Sequence, residues 1–360
     1  MPESTLPELL TSPWTPDRTD WTELLTGEPR YRLDQLWTGL YQHHLPPAEI
    51  SNLPRKLRER IASSHQPEMT LAESQTSADG KTIKWLWEMG DGAAVETVLM
   101  HYPKRSTVCI SSQAGCAMAC GFCATGQAGY SRNLTVGQIL EQVVAAAGGS
   151  DDRRLSNVVY MGMGEPFANY NRVLASVRRL ISDFGIGARR ITVSTVGLVP
   201  QMRRFADEGL QVGLALSLHA ANDELRNQLV PINTRHPIAD LVDACRYFRA
   251  TTGRRVSFEW AMIDQTNDRP SDADELAELT KQAQAHVNLI PLNPTPGWPT
   301  APSSPKRIQD FADRLSDRGV NVTVRANRGV DIDAACGQLE ARNRDENQPK
   351  AQPVDLTIRK

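Results

Sequence analysis

TVCISSQAGCAMACGFC, residues 107–123, begins as a short β-rich run and turns directly into three cysteines, Cys116, Cys120 and Cys123. The residues beyond it decide the fold class. Short apolar runs of strand character recur at 157–162, 190–195, 212–219, 256–262, 287–292 and 320–325, and helical patterns lie between them. LTVGQILEQVVAAA (134–147) carries Thr135 as a helix N-cap and ends at a glycine pair. HPIADLVDACRYFRATTG (236–253) has proline near its start and glycine at its end. Strand, helix, strand repeated in this way predicts an α/β protein with a parallel sheet, either open and doubly wound or closed into a full or partial barrel. VGLALSLH (212–219) predicts two unlike faces. Val212, Leu214, Leu216 and Leu218 belong under outer helices, whereas Gly213, Ala215, Ser217 and His219 suit an interior with room for a ligand.

The cysteine spacing restricts the chemistry. Structural zinc sites are closed and take four ligands, often from two CxxC pairs. Here the run is C-x3-C-x2-C with no second pair downstream; Cys109 is a candidate fourth ligand, so a zinc site stays open as a reading. Three thiolates on a 4Fe-4S cluster would instead leave one iron free. The amino and carboxylate groups of S-adenosylmethionine can chelate that iron, and an electron can then split the sulfonium into methionine and a 5′-deoxyadenosyl radical.

The rest of the chain narrows the setting. No run of about 18 apolar residues occurs, and MPESTLPELL lacks the basic-then-apolar order of a signal peptide, so a cytosolic protein without a membrane span is expected. Thiols stay reduced there, which favours metal or redox chemistry for clustered cysteines over structural disulfides. Net charge is −2, against indiscriminate coating of nucleic acid. Basic groups still recur in PRKLRER (54–60), Arg153-Arg154, Arg178-Arg179, Arg189-Arg190, Arg203-Arg204 and Arg254-Arg255, and could line a face that meets phosphates.

The first hundred residues differ in kind, holding five of the seven tryptophans. A helical segment is expected from about Tyr31 to Ser63. KTIKWLWEM (81–89), between Asp79-Gly80 and Gly90-Asp91-Gly92, reads as a hairpin strand. The expected organisation is a helical RNA-binding accessory domain (1–75), a β-hairpin linker (76–106), a barrel core (107–340) and a disordered tail (341–360).

CxxxCxxC ahead of βα repeats resembles the radical S-adenosylmethionine superfamily, whose cysteines sit in a loop after the first strand of a partial (β/α)6 barrel. CISSQAGCAMACGFCATGQAGYSRNLT, MGMGEP, ITVSTVGLVP, LALSLHA, LIPLNP and RGVDIDAACGQL stand in the order and spacing of the RlmN-type adenine C2 methyltransferases of 23S ribosomal RNA and transfer RNA. The similar Cfr type methylates C8 of the same ribosomal adenine; Pro166 and residues 328–339 favour the C2 branch.

The resemblance implies roles. Cys116, Cys120 and Cys123 would hold one 4Fe-4S cluster, and two molecules of S-adenosylmethionine would be used per turnover. Cys336 would accept a methyl group, Glu96 would remove the C2 proton, and Cys109 would attack the Cys336 sulfur to free the product. Gly164 and Glu165 would hold the methionine amine; Ser194, Ser217, Leu218, His219 and Asn293 would surround ribose and adenine. Implied partners are 23S rRNA, tRNA and a flavodoxin- or ferredoxin-type reductant, with the enzyme a monomer. Taken singly, Cys109 and Cys336 read as small buried hydrophobes and Glu96 as an exposed strand residue. Cys245 matches no motif and reads as helix packing. Three readings thus stand: a C2 methyltransferase, a C8 methyltransferase, and a zinc-stabilised RNA-binding protein without catalysis.

Overall fold

The protein is described by a computed structural model over residues 11–150, 155–295 and 301–339. The N-terminal part supplies α1 (Arg18–Leu24), α2 (Tyr31–Tyr41) and α3 (Arg55–Ala62). The single helical stretch expected from Tyr31 to Ser63 is therefore broken. Pro46, Pro47 and Pro54 lie between α2 and α3, and a proline cannot continue an i to i−4 ladder. Four antiparallel strands follow: β1 (Met69–Thr76), β2 (Thr82–Met89), β3 (Ala94–Tyr102) and β4 (Arg105–Cys109). β1 begins inside the 1–75 stretch read as helical, so the expected hairpin is a longer meander. Its sequence hides it, because this edge strand is exposed along most of its length and has no apolar alternation.

The chain then forms a small hairpin, β5 (Gln113–Gly115) and β6 (Tyr130–Asn133), around the cysteine loop and the short α4 (Ala124–Ala128). From there the alternation is regular. α5 (Val136–Gly148), β7 (Leu155–Tyr160), α6 (Tyr170–Ser182), β8 (Ile191–Thr195), α7 (Val199–Asp207) and β9 (Gly213–Ser217) come first. α8 (Asp223–Leu229), α9 (Ile238–Thr252), β10 (Ser257–Met262), α10 (Pro270–Ala283), β11 (His286–Pro291), α11 (Pro305–Asp317) and β12 (Val322–Val324) complete it. The predicted caps hold: Thr135 accepts from the Gln138 N–H in a capping box at α5, and Gly253 ends α9 in the left-handed region.

All the large strands belong to one ten-stranded sheet, ordered β1-β2-β3-β4-β7-β8-β9-β10-β11-β12. From β4 to β12 every neighbouring pair is parallel. The six expected βα units are those that start at β4, β7, β8, β9, β10 and β11. Among the described residues β12 is not paired with β1 or β4, so the barrel is partial, and the segment after β12 crosses to the antiparallel meander. There the Arg328 side chain donates to the His101 carbonyl, and the Ala78 N–H donates to the Asp331 carboxylate.

Helices cover the outer face through stripes at three- and four-residue spacing. Ile139, Leu140 and Val143 of α5, Val173, Val177 and Leu180 of α6, and Leu241, Ala244, Cys245 and Phe248 of α9 are all buried. Cys245 is thus a packing residue, as its helix pattern predicted. In β9, Leu214 and Leu216 are buried with Leu218 just beyond, while Ser217 and His219 line a cavity on the other face, as the two-faced pattern predicted. Among the described residues no helix is long and apolar enough to cross a membrane. Arg153, Arg154 and the expected tail at 341–360 lie outside the described residues.

Candidate active site: two cavities that meet at Cys336

The ends of the parallel strands open onto a cleft with about 1020 Å³ of atom-free space, part of it open to solvent. Its wall includes Cys116, Cys120 and Cys123 from the loop after β5, Gly164 and Glu165 after β7, Ser194 of β8, Ser217 and His219 at β9, Asn293 after β11, and Cys336. Carboxyl ends of parallel strands are where such folds gather ligand-binding loops, so these residues converge although they are spread along the chain.

Local sequence explains the convergence. Gly115 starts the cysteine loop at φ +72°, and a Cβ there would stand 2.0 Å from the Gly129 carbonyl oxygen across the hairpin, so no other residue fits. Gly164 has φ +95°, and its Cβ would stand 2.5 Å from that of Gln113. That close approach lets the Gln113 side-chain oxygen accept from the Glu165 N–H at 2.8 Å, which ties the MGMGEP turn to the cysteine loop. Asn169 adds a second tie, donating to the carbonyls of Ser112 and Leu134 at 2.9 Å each.

Glu165 is buried, and its carboxylate accepts from the N–H groups of Phe167 (3.0 Å) and Val196 (2.8 Å). Burial pushes its pKa up to about 7 despite those donors. Ser194 and Ser217 face each other, their hydroxyls 3.3 Å apart. His219 accepts at Nδ1 from the Ala261 N–H at 3.0 Å, so its proton belongs on Nε2. Burial, then the nearby Arg226, pulls its pKa down to about 3, which keeps the ring neutral. Phe122 of the cysteine loop meets it edge-on, ring centroids 4.8 Å apart.

A second cavity of about 750 Å³ lies against the inner face of β3, β4 and β7, lined by Val98, Met100, Cys109, Met161, Arg325 and Cys336 among others. Cys336 and Arg325 belong to both cavities; Cys109 belongs only to the second. Cys109 thus borders a different cavity from Cys116, Cys120 and Cys123. The loop that carries Cys336 is anchored on both sides. Asn293 donates to the Cys336 carbonyl (3.0 Å), Ala124 N–H to Gly337 O (2.8 Å), and Thr125 Oγ1 to Leu339 O (2.6 Å). The Cys336 loop is thus docked directly on the helix that succeeds the cluster loop.

Burial raises the thiols. Cys116 is pushed up to about 12 by desolvation, and Cys120 well above its ordinary value. Cys109 also reaches about 12, through desolvation first and then the neighbouring Cys336. Cys336 is exposed, but its open surface faces a walled cleft, so desolvation still pushes its thiol up while the Arg325 guanidinium pulls it down. Arg325 lines both cavities, as Cys336 does, and lies 3.5 Å from Glu259, whose carboxylate also accepts from Asn288 at 2.8 Å.

Two predicted residues lie off the cavity walls. Leu218 is buried in the core, and its N–H donates to Glu259 O. Glu96 is buried, not exposed as the strand pattern alone suggested, and pairs with Lys84 at 3.0 Å. It shares a face of β3 with Val98 and Met100, which line the second cavity. Arg325 and Glu259 join the site without any local motif to mark them, because their significance comes from strands that are distant in the chain.

The donor set fits a cluster. Cys116, Cys120 and Cys123 all line the first cavity, and three thiols on one cavity wall are a donor set suited to a 4Fe-4S cluster.

Comparison with known proteins agrees with this geometry. Residues 110–279 match the Radical SAM superfamily. A probable dual-specificity RNA methyltransferase RlmN from Mycolicibacterium smegmatis is 51% identical over 343 residues, covering 89% of this chain and 91% of that protein. One from Salinispora tropica is 51% identical over 335 residues, covering 89% of each. The crystal structure of a radical SAM methyltransferase from Sphaerobacter thermophilus superposes with a TM-score of 0.89 at 48% identity, covering 92% of this chain and 99% of that one. With the three-cysteine loop, the partial barrel and Cys336 all in place, the chain belongs to the RlmN family of radical S-adenosylmethionine RNA methyltransferases.

Proposed function

We propose that this enzyme methylates C2 of an adenine in 23S ribosomal RNA and of the adenine 3′ of the anticodon in transfer RNA. It works as a cytosolic monomer fed by a flavodoxin- or ferredoxin-type reductant. C2 of adenine lies between two ring nitrogens and is electron-poor, so it cannot attack a sulfonium methyl as a nucleophile. A route through carbon radicals removes that obstacle. The 4Fe-4S cluster, held by Cys116, Cys120 and Cys123 with S-adenosylmethionine on its open iron, supplies the one-electron chemistry.

The chain's own residues do the rest. Gly164 and Glu165 hold the methionine end of S-adenosylmethionine, while Ser194, Ser217, His219, Asn293 and the Leu218 main chain enclose ribose and adenine. Cys336, as thiolate, takes a methyl group onto sulfur as S-adenosylhomocysteine leaves; loss of one hydrogen atom from that methyl, which the bound cofactors would accept, lets its carbon bond to C2 of the base and joins enzyme to RNA. The Glu96 carboxylate takes the C2 proton. The surplus electron of the adduct would return to the bound cluster; the Cys109 thiolate then attacks the Cys336 sulfur, the departing methylene carbon keeps the bond's electron pair and takes up a proton to become the product methyl, and the disulfide left behind is reduced by external thiols before the next cycle.

The carrying observation is the position of Cys336 where the three-cysteine cavity meets the cavity of Cys109. Such a thiol can receive a methyl group from one side and be resolved from the other. The test is mass spectrometry of digested RNA after reaction, against 2-methyladenosine and 8-methyladenosine standards. The 2-methyl product is expected, and 8-methyladenosine alone would overturn the proposal.

A further inference from the structure

Arg226 of α8 is fully buried, among the largest side chains with no accessible surface. It donates from Nε to Leu218 O (3.0 Å), from Nη1 to Asn233 Oδ1 (2.6 Å), and from Nη2 to Val196 O (2.7 Å) and Ser217 O (3.1 Å). Every one of these acceptors is neutral. A buried cation normally requires an anion beside it, yet among the described residues the guanidinium meets only carbonyl and amide oxygens at hydrogen-bond distance. Burial lowers its pKa to about 10, and the charge that most opposes this is Cys120, ahead of Asp223 and Cys245. Asp223 reaches the guanidinium only through the Asn233 amide, which donates to its Oδ1 at 2.8 Å, so a direct negative partner has still to come from the cavity side.

Two features of the fold indicate what that partner is. Val196, Ser217 and Leu218 sit at or just beyond the ends of β8 and β9, and Ser194, Ser217 and His219 project into the first cavity from the same ends. In addition, Cys120, Phe122, Leu229 and Val230 form one apolar cluster that excludes water between α8 and the cysteine loop. A fixed charge behind that cluster acts through a medium that screens it weakly.

We propose that Arg226 is a positioning residue with two separable effects. Its fork locks the β8 and β9 strand ends that shape the S-adenosylmethionine site, and its charge faces Cys120 and disfavours loss of an electron from the reduced cluster. The inference rests on the reading of Cys116, Cys120 and Cys123 as cluster ligands. Net charge near a cluster is a recognised determinant of its potential, and a nearby cation stabilises the added electron.

The test uses the full-length enzyme reconstituted without oxygen, with R226M and R226K beside the unaltered chain. Iron and sulfide content, the midpoint potential from a spectroscopically followed redox titration, and S-adenosylmethionine binding are measured for each. R226M is expected to retain iron, move the midpoint to more negative values and bind S-adenosylmethionine about tenfold more weakly or worse. R226K keeps the charge and loses the fork, so its midpoint should stay near that of the unaltered enzyme while binding weakens. If R226M does not fold, R226Q replaces it, since its amide removes the charge while still donating to the surrounding carbonyls, and the midpoint should again move negative. An iron-loaded, folded R226M or R226Q enzyme with an unchanged midpoint overturns the charge effect. Undiminished binding in R226K overturns the fork effect. Failure of the unaltered enzyme to take up a cluster overturns the ligand reading instead.

Discussion

Cys120 and Cys245 are both buried thiols that feel the Arg226 charge, and desolvation raises both pKa values, yet the rest of their surroundings differ. Cys120 shares a cavity with three other cysteines, Cys116, Cys123 and Cys336. Cys245 sits in the apolar stripe of α9, where it fills space. Between these extremes lie Cys109 and Cys336, which share a second cavity with a guanidinium. Burial alone therefore does not identify a working cysteine. The sites differ in which other groups folding brings to the same space.

The largest effect should come from the cluster loop. Cys120→Ala should abolish iron loading and lower RNA methylation by on the order of 10⁴-fold or more, read by iron analysis and product counting. Retained iron and activity would erase the contrast with Cys245. The thiol pair should fail differently. Cys336→Ala should load iron normally yet give neither methylated RNA nor an adduct, whereas Cys109→Ala should accumulate RNA crosslinked to Cys336, visible on denaturing gels. A Cys109→Ala enzyme with normal turnover would remove Cys109 from the resolving step.

A smaller change should come from Arg325. Its charge pulls the Cys336 thiol down, so Arg325→Gln should raise that pKa and leave less thiolate at pH 8. Alkylation of Cys336 should slow accordingly, by up to about tenfold. An unchanged alkylation rate would assign the guanidinium to substrate contact alone.

Glu141 offers a comparison away from the site. It is buried where α5 meets the start of β1, accepting from the N–H groups of Glu68 and Met69 at 3.0 Å each, and burial pushes its pKa up to about 7. A raised carboxyl pKa means the folded state binds more protons than the unfolded one between about pH 4.5 and 7. Its contribution to stability is therefore greatest at the acidic end and declines as pH rises through that window. Denaturant titrations should show a slope worth ~1–3 kcal/mol across it, and Glu141→Gln should flatten that slope. The smallest effect belongs to Cys245→Ala, expected to cost about 1 kcal/mol of stability with methylation unchanged.

Much of the site is legible in the chain, and the reasons are local. Three cysteines within eight positions, Thr135 with Gln138, and the glycines of MGMGEP express their roles through short-range spacing and backbone geometry. In isolation Glu96 reads as exposed, because its partner Lys84 comes from the neighbouring strand β2. β1 leaves no trace in the pattern, because an exposed edge strand carries no apolar rhythm. Arg325 and Glu259 are invisible for a similar reason.

Ligand type, cap positions, element order and the two faces of β9 derive from near neighbours in the chain, where side-chain period and backbone restriction act directly. Curling a sheet brings together groups that no spacing relates. Only the packed molecule puts Cys336 on the walls of two cavities, keeps Cys109 out of the cavity of Cys116, Cys120 and Cys123 and buries Arg226 against the carbonyls of Val196, Ser217 and Leu218, because contact and dielectric depend on distance in space, not on distance along the polypeptide.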